Sequence, residues 1–240
     1  MSEIHIEHHK SKHARAALEG RKSPWGVLRE LVVDMVPVIL GILIALSFNS
    51  LKEAWKERRE EEYYLRGLRK DLTEDLAELK SDVAQYRVKK KAAAYLLRYD
   101  LARNPASDSA YYYFRLLPGQ TAPNITNATF VTLQSSGRLG LMKNKAVAGQ
   151  LVLLYTDVVK GLTNITASFN DFKQTYLFDV WVTEFDYAQI DRTHDIRPVL
   201  QNRTVRNALH LLWFDEVIGR YQQAIAAHER IIAQLQQELP

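Results

Sequence analysis

The sequence predicts an all-α protein: one N-terminal transmembrane helix that continues into a long stalk helix, followed by an antiparallel helical bundle. The stretch Leu31–Phe48 is almost entirely apolar, and no proline interrupts the chain between Ser50 and Arg103. Farther on, apolar residues recur at the three- and four-residue spacing of a helix face.

We therefore divide the 240 residues into three parts. Residues 1–24 form a polar tail that contains histidines, and residues 25–51 form the transmembrane helix. Residues 52–240 form the stalk and bundle, which is large enough for one domain.

The apolar stretch Leu31–Phe48 has the length needed to cross a membrane. Eighteen helical residues span about 27 Å, close to the roughly 30 Å hydrocarbon core of a bilayer. Trp25 and Trp55 flank it about 45 Å apart along a helix, which matches the two interfacial aromatic belts. A cleaved signal peptide and a buried core helix are the alternatives. The lack of a small-x-small cleavage site and of a polar stripe favours a retained membrane helix.

One face of this segment is predicted to associate with another helix. Gly41 and Ala45 form a small-x-x-x-small pair, which lets a second backbone approach closely. Asp34 lies near the same face and either meets a partner helix or reaches the interface. With Asn49, these are the predicted transmembrane association residues. Pro37 is expected to bend the helix.

The composition excludes several chemistries. The chain has no cysteine, which removes disulfides and Cys-ligated zinc. The net charge is +4, but basic and acidic residues are mixed along the same segments, so no nucleic-acid partner is expected. We find no motif with the spacing of a catalytic or cofactor site. The tail histidines can lie in pairs one helical turn apart, which suits a metal, but they lack a carboxylate or thiolate framework. We therefore expect no enzyme, cofactor or metal.

The stalk is predicted to end at Asn104 and Pro105 and to present one apolar face to neighbouring helices. That face consists of Leu65, Leu68, Leu72, Leu79, Val83, Tyr86, Ala93 and Leu97. The run Lys89–Lys91 is interpreted as solvated. The aromatic group Tyr111–Phe114 is expected to pack in the core, within a turn-rich stretch that ends at Pro123.

Three residues are predicted to terminate or begin helices in the middle of the chain. A short helix starting near Asn127 ends at Ser136 and Gly137, and Asn144 caps the next helix. The apolar face that follows belongs to one long or one broken helix: Val147, Leu151, Leu154, Val158, Leu162, Ile165, Phe169, Phe172, Tyr176, Val180 and Phe185.

Residues 187–203 read as a loop, and the last helix is predicted over Thr204–Leu239. It carries a heptad repeat, in which His228 is a packed side chain rather than a ligand. The repeat consists of Leu211, Phe214, Ile218, Tyr221, Ile225, His228, Ile232, Leu235 and Leu239.

Two short blocks carry a family resemblance. The first is Asp34, six residues, the hexapeptide GILIAL, two residues and Asn49; the second is a Leu-x-x-Ser-Gly-x-Leu block that begins at Leu133. Together they resemble a family of uncharacterised bacterial membrane proteins, a domain of unknown function. The resemblance implies a single-pass inner-membrane protein with a helical domain and no defined activity. The chain departs from the family pattern at Asp34, where glutamate is common, at Pro37, and after Asn49, where Ser-Leu replaces Asn-Trp.

The predicted function is that of a membrane-anchored interaction protein, which self-associates or serves as an accessory or scaffold subunit of a membrane assembly. Its partners would be the lipid bilayer and either copies of itself or another membrane protein. A sensor-like ligand-binding domain and an oligomeric pore lined by Asp34 and Asn49 remain alternatives. Basic residues are equally numerous on both sides of the span. The signal-anchor character of the short tail favours a cytoplasmic N-terminus and a periplasmic domain.

Overall fold

The computed structural model describes residues 24–100, 102–103, 108–184 and 196–239. All regular secondary structure in these ranges is helical, which confirms the predicted all-α fold. The chain divides into two compact units, Met1–Glu60 and Glu61–Pro240. The histidines of the tail and Phe185 lie outside the described residues.

Helix α1 runs from Pro24 to Leu97 and holds Pro37 in its interior. Its end at Leu97 comes earlier than the end predicted at Asn104 and Pro105. The chain turns there because the Asp100 carboxylate accepts a hydrogen bond from the backbone N–H of Ala102 (2.9 Å), and such local bonds compete with helix continuation.

The remaining helices belong to the second unit. They are α2 (Asp108–Leu116), α3 (Ala128–Ser135), α4 (Lys145–Leu153), α5 (Val159–Lys173), α6 (Asp179–Glu184), α7 (Arg197–Gln201), α8 (Arg203–Leu211) and α9 (Phe214–Glu238). Helix α2 occupies part of the predicted turn-rich stretch and buries Phe114 completely, as expected. The expectation was wrong for Tyr112 of the same aromatic group, which is 59% exposed. A 3-10 turn, Arg138–Leu141, follows α3.

Helices α4, α5 and α6 follow one another without a break, through π-helical turns at Leu154–Val158 and Gln174–Phe178. A π turn adds a residue and rotates the helix face that follows it. As a result, Leu177 and Trp181 are buried whereas Tyr176 is 43% exposed. The predicted continuation through Tyr176 was wrong because it assumed an uninterrupted 3.6-residue period.

The C-terminal helix is divided in two, contrary to the prediction. Leu212 and Trp213 adopt non-helical conformations between α8 and α9, which leaves Leu211 63% exposed.

The predicted loop over 187–203 was also wrong in its described part. Pro198 lies in the first turn of α7, where its missing N–H is not needed.

Within the second unit, α9 runs antiparallel to α1. As α1 is followed from Asp75 to Lys90, its partners on α9 run backwards: Asp75 lies near His228, Asp82 near Tyr221 (3.1 Å) and Lys90 near Asp215 (2.5 Å). Two apolar clusters fill the interior. One includes Leu68, Leu72, Ile231 and Leu235, and the other includes Leu79, Tyr86, Tyr221 and Ala224.

Candidate functional site

The first candidate site is the apolar part of α1. Every residue from Leu31 to Phe48 is exposed, and the large apolar side chains there are 48–68% exposed. The segment lies in a helix with a window of mean hydropathy 2.5, none of it buried, so it is a candidate membrane span. An apolar surface of this length needs an apolar environment.

The predicted association residues all lie on the surface of this helix. Asp34, Gly41, Ala45 and Asn49 are exposed, and a Cβ placed on Gly41 would meet no atom within 4 Å. Asn49 Nδ2 donates to Glu53 Oε1 (3.2 Å). These positions are therefore available to a partner helix, and their role stays a prediction.

The Ser-Gly block ends α3 in the predicted manner. Ser136 follows the helix, and Gly137 has a φ of +70°, a left-handed conformation that favours glycine. Asn144 accepts hydrogen bonds from the N–H groups of Ala146 and Val147 and so caps α4. In the described structure, the block acts as a connection between helices.

The second candidate site is a polar seam in the bundle interior, at Asp75, Asp82 and Lys89 of α1. These three residues are 1–8% exposed and follow one another at seven-residue intervals. They occupy the same face as Leu72, Leu79 and Tyr86, because spacings of three and four residues share one side of a helix. The prediction of a solvated Lys89 was wrong, whereas Lys90 and Lys91 are exposed.

Asp75 lies at the first level of the polar seam. One carboxylate oxygen accepts a hydrogen bond from the N–H of Thr126 (2.8 Å), just before α3, while Asp71 accepts one from Thr129 (3.3 Å). These two carboxylates serve in place of an N-cap side chain for α3, because the Asn127 side chain makes no cap hydrogen bond. Two carboxylates of α1 thus fix the beginning of α3.

His228 faces the other oxygen of Asp75. Its Nδ1 lies 2.8 Å from the Ala224 carbonyl, which can only accept, so Nδ1 carries a proton. Its Nε2 lies 3.7 Å from Asp75 Oδ2, and neither atom has a hydrogen-bond partner among the described residues. As predicted, His228 is fully buried and packed.

Asp82 lies at the second level and accepts a hydrogen bond from the Tyr221 hydroxyl (3.1 Å). Burial raises the pKa of Asp82, and the bond from Tyr221 opposes this rise. Burial also raises the pKa of Tyr86 and of Tyr221, which keeps both phenols protonated and able to donate. The Tyr86 hydroxyl donates to the Thr121 carbonyl (2.6 Å).

At the third level, two buried lysines hold the segment that follows α2. Lys89 and Lys173 each donate to the Gly119 carbonyl at 2.7 Å, and Lys89 also donates to Thr121 Oγ1 (2.6 Å). Burial lowers the pKa of Lys89 to about 8, partly opposed by Asp82. Burial and the neighbouring Lys89 charge lower the pKa of Lys173 to about 7. Lys173 therefore loses its charge near neutral pH, and Lys89 loses its charge about one pH unit higher.

The polar seam joins distant parts of the chain. Asn170 Nδ2 donates to the Thr121 carbonyl (3.1 Å), so α1, α5 and residues 119–121 meet at one place. No group of three metal-ligating residues occurs in the part of the chain that the structure describes. The amines are aimed at backbone and hydroxyl oxygens, which makes this a structural clamp in the observed arrangement.

Sequence reasoning missed the polar seam because it selected only apolar residues. The available signal was the seven-residue spacing of Asp75, Asp82 and Lys89 within an apolar face, matched by Tyr221 and His228 on α9. A solvated polar residue has no reason to keep the register of a buried face.

These features define an all-helical protein with one candidate membrane span near its N-terminus. Residues 34–102, less than a third of the chain, match the model of a family of unknown function (DUF6090). The match supports the resemblance to a family of unknown function and includes the first of the two blocks; the block at Leu133 lies outside it. No match to a curated protein or to a solved structure was found.

Proposed function

We propose that this chain is a membrane-anchored helical interaction protein, non-catalytic, that self-associates or serves as an accessory subunit of a membrane assembly. One observation carries the proposal: all eighteen residues of Leu31–Phe48 are exposed although nearly all of them are apolar. Lipid acyl chains are the environment that such a helix requires.

Helix association is the second part of the proposal. Gly41 and Ala45 lie on one side of the exposed helix, and the space beside Gly41 is open. Close backbone approach at small residues is a common basis of helix pairing in lipid. The sensor and pore hypotheses remain alternatives, without a contact or distance that favours either.

Localisation follows from the same segment. We infer that the membrane is the bacterial inner membrane, with the N-terminus in the cytoplasm and the helical domain in the periplasm. This assignment is supported by the family resemblance and by the signal-anchor pattern of the sequence. Protease accessibility of the bundle in right-side-out spheroplasts tests the orientation, and protection from protease would reverse it.

Anchoring is tested by alkaline carbonate extraction of membranes that contain the full-length chain. We expect the protein to stay with the bilayer and to need detergent for solubility. Recovery in the soluble fraction without detergent, or loss of the first fifty residues on maturation, would refute the anchor.

Association is tested by crosslinking in the same membranes. We expect a reproducible oligomer ladder or one partner, and loss of most of it in the double variant Gly41→Leu, Ala45→Leu. Ser47→Leu is the matched control, because it also enlarges a small residue but lies on another side of the helix. A chain that stays monomeric at every crosslinker dose, with no partner trapped, would contradict this role.

A further inference from the structure

Beyond the end of the apolar segment, α1 presents a cationic face made of Lys52, Trp55, Lys56 and Arg59. These residues follow at spacings of three, one and three, and therefore lie on one side of the helix. All four are exposed, Trp55 to 66%. The Arg59 guanidinium lies 5.8 Å from the centroid of the Trp55 ring, within the range of a cation–π contact.

A surface groove of about 580 Å³ runs along this face. Besides the cationic face, it is lined by Asn49, Glu53 and Glu60. The two glutamates lie about a quarter of a turn around the helix from Lys52, so they form one edge of the groove. Glu53 accepts a hydrogen bond from Asn49 Nδ2 (3.2 Å) at that edge. The rest of the groove is open to an anion.

Helix geometry gives the position of the cationic face relative to a bilayer. This position rests on the membrane anchor proposed above. A rise of 1.5 Å per residue places Lys52 about 6 Å and Trp55 about 10 Å beyond Phe48. The headgroup layer on each side of a bilayer is roughly 5 to 8 Å thick.

The direction of the side chains brings the cations closer still. In a helix, each Cα–Cβ bond tilts toward the N-terminus. Residues that follow a membrane span therefore point their long side chains back toward the bilayer. Lys56, whose Cα lies about 12 Å beyond Phe48, can reach the headgroup layer in this way, and Arg59 approaches it by folding back over Trp55.

We propose that the cationic face binds the anionic headgroups of phospholipids in the leaflet at the C-terminal end of the apolar segment. Phosphate oxygens accept hydrogen bonds from the two ammonium groups, and Arg59 can hold a phosphate with two parallel N–H bonds. Trp55 places an apolar ring with a polar N–H at the same depth.

A second copy of the chain is a poorer occupant of this groove. Parallel pairing of two such faces would bring Lys52 against Lys52 and Arg59 against Arg59, and like charges repel at close range. An anionic lipid instead neutralises the face without a matching protein surface. At 100° per residue the cationic face lies on the same side of α1 as Gly41 and Ala45, so two helices that pair at these small residues must cross there and diverge beyond Phe48, with lipid phosphates between the cationic faces.

The test uses the full-length protein in nanodiscs that contain an equal mixture of phosphatidylglycerol and phosphatidylcholine. After exchange into mild detergent, mass spectrometry measures the ratio of the two lipids that stay bound. We expect retained phosphatidylglycerol to exceed retained phosphatidylcholine. The triple variant Lys52→Gln, Lys56→Gln, Arg59→Gln should lower that enrichment about tenfold.

Two further variants separate local binding from net charge. Lys160→Gln, Arg206→Gln, Arg230→Gln removes the same charge from exposed residues of the second unit and should keep the enrichment. Lys52→Arg, Lys56→Arg, Arg59→Lys preserves the cations and should also keep it. An equal loss in the control triple would overturn the proposal, as would equal retention of the two lipids by the wild type.

The failure of this proposal is distinguishable from failure of the anchor. A chain that floats with vesicles of pure phosphatidylcholine but shows no preference for phosphatidylglycerol keeps the anchor and refutes the headgroup site. A chain that floats with neither kind of vesicle refutes both.

Discussion

Replacing Lys173 by Met tests whether this buried amine is charged at neutral pH. The ordinary pKa of a lysine is 10.5, and burial together with the charge of Lys89 lowers it to about 7 in the folded protein. Below pH 7 the amine is charged in both the folded and the unfolded state. Between pH 7 and 10.5 it is charged only when unfolded, so unfolding takes up a proton and the stability rises with pH.

The magnitude follows from the linkage relation. Each pH unit in that window adds 1.36 kcal/mol to the free energy of unfolding, so wild type gains about 3 kcal/mol between pH 7 and pH 9. Lys173→Met lacks this gain. We therefore expect the stability difference between the two proteins to move by about 3 kcal/mol in favour of wild type from pH 6 to pH 9.

Urea denaturation of the full-length protein in mild detergent, followed by circular dichroism, measures this difference. The matched control is Lys160→Met, which replaces an exposed lysine of the same helix and should give the same difference from wild type at both pH values. A pH-independent difference for Lys173→Met would refute the reasoning, because it would show that the buried amine titrates alike in both states.

Further substitutions test the helix contacts and ends by the same denaturation measurement. Gly67→Ala places a Cβ 3.1 Å from the Thr129 side chain and should cost about 1 kcal/mol, whereas Gly219→Ala meets no atom within 4 Å and should stabilise by about 0.5 to 1 kcal/mol; equal effects would contradict the close contact. Gly137→Ala should cost about 1 to 2 kcal/mol because φ is +70°, and an unchanged stability would argue against the left-handed cap. Asn144→Ala should cost about 1 kcal/mol through the lost cap bonds, and Asn144→Asp, which keeps an accepting oxygen, should recover most of it.

Local features of the fold could be predicted from sequence because their causes are local. The caps at Gly137 and Asn144 depend on one residue and its immediate neighbours. The apolar length of Leu31–Phe48 likewise identifies a candidate membrane span without any tertiary contact. Periodicity also located the buried faces of α1 and of the first part of the α4–α6 segment, except at Leu97, which is 39% exposed while its neighbour Leu96 is buried.

The remaining features depend on partners that are distant in sequence. Lys89 is buried because the Gly119 carbonyl, thirty residues away, accepts its hydrogen bond. The division between α8 and α9 and the π-helical turns at Leu154–Val158 and Gln174–Phe178 change the helix register at places where the 3.6-residue period continues in the sequence. The spacing of apolar residues in the sequence does not indicate where the helix register changes, since these changes result from tertiary packing.

The polar seam gives the antiparallel pairing of α1 and α9 a defined register. A slip of seven residues would keep the apolar faces together, because both helices repeat with that period. It would, however, place Asp82 opposite His228 and Asp75 opposite Leu235. Asp82 would lose the hydrogen bond from the Tyr221 hydroxyl, at a cost of about 1 to 3 kcal/mol, and Asp75 would lose its contact with His228. The apolar residues thus supply the attraction between the two helices, and the seven-residue polar spacing selects one alignment among those that the apolar residues alone would permit.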